Sequence, residues 1–238
     1  MTIIITILKK EFKSYINSPI AYIYIITFLL FINWYFFRSF FLVGQANLRS
    51  FFELAPWVLL LLVPAISMRS WSEEKKSGTL DFLLTFPIQD YELVLGKYLA
   101  SLLLLSITIL GTFPLAIMII LIGSPDIGPI ITGYIGTLLL GAAYLAIGFF
   151  ISSLTQNQII AFILSIVSCF FCFLLASDFV AYSLPTIIIP FLSNLSLGYH
   201  YESIIKGVID LSDIIFYISF IGFFLYLNTM VLSSRKIG

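Results

Sequence analysis

The 238-residue chain is strongly apolar: 61% of its side chains are hydrophobic, 17% are aromatic and only 10% are Asp, Glu, Lys or Arg. Soluble domains carry about 25% charged residues, so this composition excludes an ordinary soluble domain, and the abundant apolar surface excludes disorder. Twelve basic and twelve acidic residues cancel, which leaves no overall field that would favour nucleic acid as a partner. With only two cysteines, a disulfide scaffold is excluded as well.

Charge-free apolar runs of about 20 residues recur along the chain, and at 1.5 Å per residue each matches a hydrocarbon core about 30 Å thick. A β-barrel is disfavoured because these runs are apolar on all sides, whereas barrel strands alternate. The sequence therefore predicts an all-α integral membrane protein with six transmembrane helices. The predicted spans are Ile20–Val43, Leu54–Met68, Tyr98–Ile122, Ile130–Ile151, Ile159–Ser177 and Ile214–Leu232.

The basic residues are unevenly divided between the two faces that six spans would define. Only Arg38, Arg49 and Lys206 fall on one face. The other face holds the remaining nine, namely Lys9, Lys10, Lys13, Arg69, Lys75, Lys76, Lys97, Arg235 and Lys236. Because short cytoplasmic loops carry an excess of Lys and Arg, both termini and the loop 69–97 are predicted to be cytoplasmic.

Two segments are predicted to lie at the membrane surface or to pack there. Residues 1–19 form an amphipathic interfacial helix, with Lys9, Lys10 and Lys13 on its polar side and Glu11 on its otherwise apolar side. The apolar side comprises Ile4, Leu8, Phe12, Tyr15 and Ile16. Residues 182–213 are predicted to form an external loop, part of which either re-enters the membrane or lies on it.

Motifs for chemistry on this chain are missing. No ionisable residue lies in the middle of a span, which disfavours a secondary transporter, and Gly96-Lys97 lacks the remainder of a Walker A loop. His200 with Glu202 leaves open a membrane-embedded enzyme, although helix packing is the favoured interpretation of His200. Cys169-Phe-Phe-Cys172 is interpreted as two packed thiols. We therefore predict no catalytic residue, no metal site and no cofactor on this chain.

The loop 69–97 has the highest density of charge in the protein. Ser72 is predicted to cap a short helix with acidic residues in its first turn, and Gly78 to end that helix with a positive φ. Thr79 is predicted to cap a second, apolar helix that stops at Pro87. The loop is either a solvated surface or the grip of a soluble partner, and the residues alone leave both interpretations open.

The same loop resembles a known family. The run EEKKSGTLDFLLTFPI followed by ELVLGKYLA resembles the loop of ABC-2 type permeases, with Asp81 where many members have Glu. Three further stretches are similar to gliding-motility permeases of the GldF subfamily: FFELAPWVLLLLVPAISMRSWSEEKK, SSLTQNQIIAFIL and GYHYESIIKGVIDLSDIIFY. The resemblance implies one ABC-2 permease domain over residues 1–238, a type V exporter-like fold and a multi-pass location in the bacterial inner membrane.

In this family the energy source lies on another chain. The resemblance implies a cytoplasmic ABC ATPase that holds ATP and Mg²⁺, the lipid bilayer as surroundings, and either a second permease copy or a membrane subunit with a large external domain. By position, Lys9, Lys10 and Lys13 would lie beside the ATPase-coupling residues. These coupling residues would be Ser72, Glu73, Glu74, Lys75, Lys76, Gly78, Thr79 and Asp81. The alternative is a non-transporting scaffold that links an ATPase to an external-domain subunit.

Small and polar residues inside the predicted spans have two interpretations. Gly133, Thr137 and Gly141 recur every fourth residue, which allows helix backbones to approach closely within one subunit or between subunits. Asn33, Thr108 and Thr112 could face a translocation path, or they could bond a neighbouring helix.

Overall fold

A computed structural model describes residues 2–45, 47–80, 83, 88–123, 125–176, 189–208 and 210–236. Within these ranges the regular secondary structure is α-helical, as the sequence predicts. The helices, numbered here in chain order, are α1 (Thr2–Asn17), α2 (Pro19–Val43), α3 (Arg49–Ser67), α4 (Arg69–Lys76), α5 (Asp90–Leu110), α6 (Phe113–Ile122), α7 (Ile127–Leu154), α8 (Gln158–Leu174), α9 (Ile189–Leu195), α10 (Leu197–Ile205) and α11 (Leu211–Lys236).

Local sequence explains where several of these helices begin and end. α2 starts with a Ser18 cap, whose hydroxyl accepts from the Ile20 N–H at 3.3 Å, and it ends at Gly44 with φ +65°. Asp126 caps α7 through the Gly128 N–H at 3.0 Å, and Asn157 caps α8 in the same way. Each cap satisfies a donor that the helix itself leaves unpaired.

Five helical segments of the described chain are long and apolar enough to cross a membrane: Pro19–Leu42, Arg49–Lys76, Asp90–Ile122, Ile127–Leu154 and Leu211–Ser234. They correspond to five of the six predicted spans. The remaining predicted span coincides with α8, an apolar helix of 17 residues. Its predicted end, Ser177, lies outside the described residues. The third predicted span is two helices, α5 and α6, with Gly111 and Thr112 between them.

α7 lies at the centre of the bundle. Residues 140–149 are all buried, and α7 contacts α3, α4, α5, α8, α10 and α11. Small residues such as Ala143 and Ala146 let these neighbours approach its backbone closely. α2 and α11 form the outside of the bundle and expose large apolar side chains, among them Phe31, Trp34 and Phe223. An exposed apolar surface of this kind is expected for helices that face lipid.

The C-terminal part of the predicted external loop packs against the bundle. α10 contacts α7, α8 and α11, and the Tyr201 hydroxyl donates to the Phe52 carbonyl at 2.7 Å. Phe52 lies near the start of α3, whereas α4 follows the other end of α3. α10 and α4 are therefore at opposite ends of the bundle.

Candidate functional site

α4 continues α3 with only Met68 between them, so the predicted loop begins as a helix. The prediction that Ser72 caps this helix is wrong: α4 begins at Arg69, and the Ser72 hydroxyl donates to the Met68 carbonyl one turn earlier. The physical reason is that α3 runs on into α4 with only Met68 between them, so no new helix starts at Ser72. Its own N–H is bonded instead to the Ser152 hydroxyl at 3.2 Å.

The inner side of α4 is fixed to the C-terminal end of α7. The Trp71 and Ser72 N–H groups both donate to the Ser152 hydroxyl, which in turn donates to the Met68 carbonyl at 2.9 Å. Lys75 is buried, and its ammonium donates to the Ser153 carbonyl. These contacts are hydrogen bonds in a buried environment, so we expect α4 and α7 to move together.

A second attachment forms around Lys97, near the start of α5. The Lys97 side chain is only 6% exposed, and its ammonium lies 2.5 Å from Glu74 Oε1, 3.8 Å from Glu11 Oε1 and 3.1 Å from the Ser70 carbonyl. The ammonium also lies 4.9 Å from the centre of the Trp71 ring. We call these five residues the Lys97 cluster. It joins α1, α4 and α5, and a buried ammonium is stable here because acceptors surround it.

α1 lies against α5 through Ile7, which the predicted apolar face did not include, and through Tyr15, which it did. A Cβ added at Gly96 of α5 would be 2.7 Å from Ile7 Cγ2, so the two helices are in close contact. The Tyr15 hydroxyl bonds Ser101 of α5 at 2.9 Å, and burial raises the pKa of Tyr15. Ile16, predicted on the same face, is exposed. Glu11 also lies on this face, where its carboxylate faces the Lys97 ammonium of α5.

The polar side of α1 and the outer side of α4 are both exposed. Lys9, Lys10 and Lys13 point away from the bundle. Along α4 and the residues after it, we define the exposed edge as Glu73, Lys76, Ser77, Gly78 and Thr79. Gly78 has φ +71°, the left-handed conformation that its predicted role requires.

The predicted coupling residues therefore divide into two groups. Glu73, Lys76, Gly78 and Thr79 lie on the exposed edge. Ser72 and Lys75 are instead buried, and Glu74 is partly buried against Lys97. Thr79 bonds the Ser77 hydroxyl and the Glu74 carbonyl. Asp81 and most of the predicted second helix lie outside the described residues.

The polar residues predicted within spans make contacts inside the chain. The Asn33 side chain donates to the Leu29 carbonyl at 2.6 Å, and Thr108 donates to the Leu104 carbonyl at 2.8 Å. Each bond is to the residue's own helix. Thr112 reaches another helix, where its hydroxyl lies 3.1 Å from the Tyr134 hydroxyl.

The stripe of small residues packs against several different neighbours. A Cβ added at Gly133 would collide with Phe52 of α3, and one added at Gly141 would lie 2.7 Å from Leu105 of α5. Thr137 donates to the Gly133 carbonyl at 2.7 Å. These contacts match the interpretation of the stripe as packing within the subunit.

His200 pairs with a residue that sequence reasoning did not connect to it. Its Nδ1 lies 2.6 Å from Asp213 Oδ1, its Nε2 lies 3.1 Å from the Asn194 carbonyl, and its ring stacks on Phe216. Glu202 is exposed, and the pair with His200 that the sequence left open as a minor alternative is not formed. Residues two apart on a helix point in different directions, which separates the two side chains.

Cys169 and Cys172 are free thiols, and burial of Cys169 fits the packing interpretation. Across the described ranges no group of His, Cys, Asp and Glu is arranged to hold a metal ion. Sequence reasoning missed Glu11, Lys97, Ser152 and Ser153 as partners of α4. The one available signal was a carboxylate on the apolar face of α1.

Several apolar helices of membrane-spanning length, with the polar helix α4 fixed at one end of the bundle, are typical of a multi-pass membrane protein. The chain belongs to the ABC-2 family of transporter proteins, whose family model matches residues 5–235. It is also similar to a curated protein of Pseudomonas aeruginosa described as "Probable ABC transporter permease protein NosY", with 31% identity over 119 residues. That match covers 48% of this chain and 43% of the relative, so it spans less than half of the relative's length.

Proposed function

We propose that this permease subunit couples ATP hydrolysis on a separate cytoplasmic ABC ATPase to export, or to mechanical transmission, across the bacterial inner membrane. Family membership supports this proposal, and the sequence has no Walker A loop with which to hold nucleotide itself. ATP and Mg²⁺ would then reside on the partner. Resemblance to GldF-type permeases supports pairing with a second permease copy or with a membrane subunit that bears an external domain.

We further propose that six segments cross the membrane, with α8 as the sixth. At 1.5 Å per residue its 17 residues span about 25 Å, close to the thickness of the hydrocarbon core. In this arrangement both termini, α1 and α4 are cytoplasmic. The uneven division of basic residues supports this orientation. The Lys97 cluster supports it too, because it brings together α1, α4 and the start of α5.

The division of α4 into a fixed inner side and an exposed edge carries the coupling proposal. The ATPase binds the exposed edge, where Glu73 and Lys76 present both signs of charge. Displacement of α4 then passes to α7 through Ser152 and Lys75, and to α5 and α1 through the Lys97 cluster. A flexible solvated loop would lack these attachments and could not transmit a displacement.

Charge reversal on the exposed edge tests this proposal. The double variant Glu73→Lys/Lys76→Glu should insert and fold, because both side chains are exposed. If the two residues form interfacial charge pairs, the variant should lose about 2–5 kcal/mol of ATPase binding for each desolvated pair. Co-purification and stimulated ATP hydrolysis measure the loss. Glu202→Lys is the matched control, since Glu202 is exposed at the opposite end of the bundle.

A glycine series separates backbone shape from charge in the same assay. Nothing lies within 4 Å of a Cβ added at Gly78, so a substitution there acts through the positive φ alone. Gly78→Val should weaken ATPase association, whereas Gly78→Asn should stay close to the original protein, because Asn tolerates this conformation. Retention of the ATPase by all these variants at the level of Glu202→Lys would show that the loop is merely solvated. Stimulated hydrolysis without movement of any solute would favour the scaffold.

A further inference from the structure

A cavity of about 300 Å³ lies between α1, α2, the junction of α3 with α4, and α5. Its polar wall includes Glu11, Tyr24, Arg69, Ser70, Glu73 and Glu74. The remainder of the wall is partly apolar, with Ile20, Ile66 and Leu104 among its residues. The coupling proposal uses the Lys97 cluster, of which Glu11, Ser70, Glu74 and Lys97 line this cavity, but it assigns nothing to the space itself.

Several polar atoms on the wall are buried without a hydrogen-bond partner. Within the described part of the chain, these atoms are the Tyr24 hydroxyl, Arg69 Nε and Glu74 Oε2. Tyr24 is only 4% exposed. Native proteins leave few buried polar groups unpaired, and three around one cavity indicate that a ligand supplies the partners.

The charges on the wall indicate what kind of ligand this is. Glu11, Glu73 and Glu74 contribute three carboxylates, whereas Lys97 and Arg69 contribute two cations. Lys97 already faces Glu74 and Glu11, which leaves surplus carboxylate on one side and the Arg69 guanidinium with the Tyr24 hydroxyl as donors. In the described chain these carboxylates are not arranged to hold a metal ion. An ammonium suits the acceptors and an anionic oxygen suits the donors.

We propose that this cavity binds a phosphoethanolamine group, with its primary ammonium at the glutamates and its phosphate at Arg69 and Tyr24. The apolar part of the wall fits the glycerol and first methylenes of a phospholipid, so membrane phosphatidylethanolamine is one source of the group and a soluble phosphoethanolamine is the other. Glu73 belongs to both the cavity wall and the exposed edge, so binding is measured on the purified full chain without an ATPase, where failure of the coupling proposal would leave the result unchanged.

The first experiment compares lipids by native mass spectrometry of the chain in detergent. Short-chain phosphatidylethanolamine should be retained over phosphatidylcholine, whose ammonium has no N–H to donate, and over phosphatidylglycerol, which has no ammonium. Tyr24→Phe removes one unpartnered hydroxyl at constant shape, so it should fold normally. It should retain phosphatidylethanolamine about ten-fold less well, as expected for loss of one hydrogen bond to a charged group. Arg69→Gln is a second variant with the same expected direction.

Tyr22→Phe is the matched control, because Tyr22 lies on the same helix and is 53% exposed. It should bind like the original protein. Equal retention of the three lipids, or undiminished retention by both Tyr24→Phe and Arg69→Gln, would overturn the proposal. Millimolar O-phosphoethanolamine in a thermal-shift assay distinguishes the sources: stabilisation that Tyr24→Phe abolishes identifies the soluble ligand, whereas retention of the lipid alone identifies the membrane.

Discussion

At the residue scale, the most consequential side chain is the ammonium of Lys97. An isolated buried ammonium is costly, and this one is compensated by two carboxylates, a carbonyl and the face of Trp71. The sequence indicates that Glu11 lies on an apolar face and that Lys97 precedes a span. It does not indicate that the two meet, because they are separated by 86 residues and no local pattern connects α1 with α5.

Removing this charge should therefore destabilise the protein. Lys97→Met leaves Glu74 and Glu11 beside each other without a cation, and we expect a loss of about 3 kcal/mol in the free energy of unfolding. The double variant Lys97→Met/Glu74→Gln should recover part of the loss, since one uncompensated charge is gone. Thermal unfolding in detergent measures both.

Lys10→Met is the matched control for this prediction, because Lys10 is exposed on α1. It should change the melting temperature little. Equal stability of Lys97→Met and Lys10→Met would mean that the Lys97 cluster does not hold α1, α4 and α5 together.

At the element scale, helix faces were easier to predict than helix partners. The four-residue spacing from Gly133 to Gly141 predicts a close approach, yet the stripe meets α3 at one residue and α5 at another. Ser72 shows how a local pattern can also predict a helix start at the wrong residue. A serine before two acidic residues is typical of a helix start, but here the helix has already begun at Arg69 because α3 continues almost without interruption.

Gly148 offers a direct test of how closely α7 packs on α3. A Cβ added at Gly148 would lie 2.7 Å from Ser67 Cβ, so Gly148→Ala must push the two helices apart. We expect a loss of about 1–3 kcal/mol in the free energy of unfolding, as overpacking usually costs. Adding Ser67→Gly should restore part of it, because the colliding side chain is removed.

Gly222→Ala provides the comparison on α11, where nothing lies within 4 Å of the added Cβ. That variant should unfold at the original temperature or slightly above it, since alanine favours a helix more than glycine does. If Gly148→Ala is tolerated as well as Gly222→Ala, α7 and α3 are not in close contact at Gly148.

At the scale of the whole molecule, composition and charge predicted the all-helical membrane architecture. Five helical segments of the described chain have the length and hydropathy of a span, since these properties depend on local sequence. Two features are not encoded locally. The His200–Asp213 contact joins different helices, and the attachment of α4 to Ser152 and Ser153 depends on where α7 ends.

Cysteine accessibility tests the proposed orientation. In a Cys169→Ala/Cys172→Ala background, Gln45→Cys and Glu202→Cys should react with a membrane-impermeant maleimide in intact spheroplasts. Lys10→Cys and Ser77→Cys should react only after permeabilisation, because the distribution of basic residues predicts that they are cytoplasmic. All four positions are exposed, so access to the reagent decides the outcome. Labelling of Ser77→Cys in intact spheroplasts would rule out the proposed orientation.

The most direct test of the coupling claim is site-specific photo-crosslinking on the assembled complex. A photoreactive residue placed at Glu73, Lys76 or Thr79 lies on the exposed edge, and one at Glu202 lies at the opposite end of the bundle. We predict covalent adducts between this chain and its ATPase from the three edge positions and none from position 202. Absence of an adduct at all three edge positions, in a complex that still co-purifies and hydrolyses ATP, would contradict the assignment of α4 as the segment through which the ATPase acts.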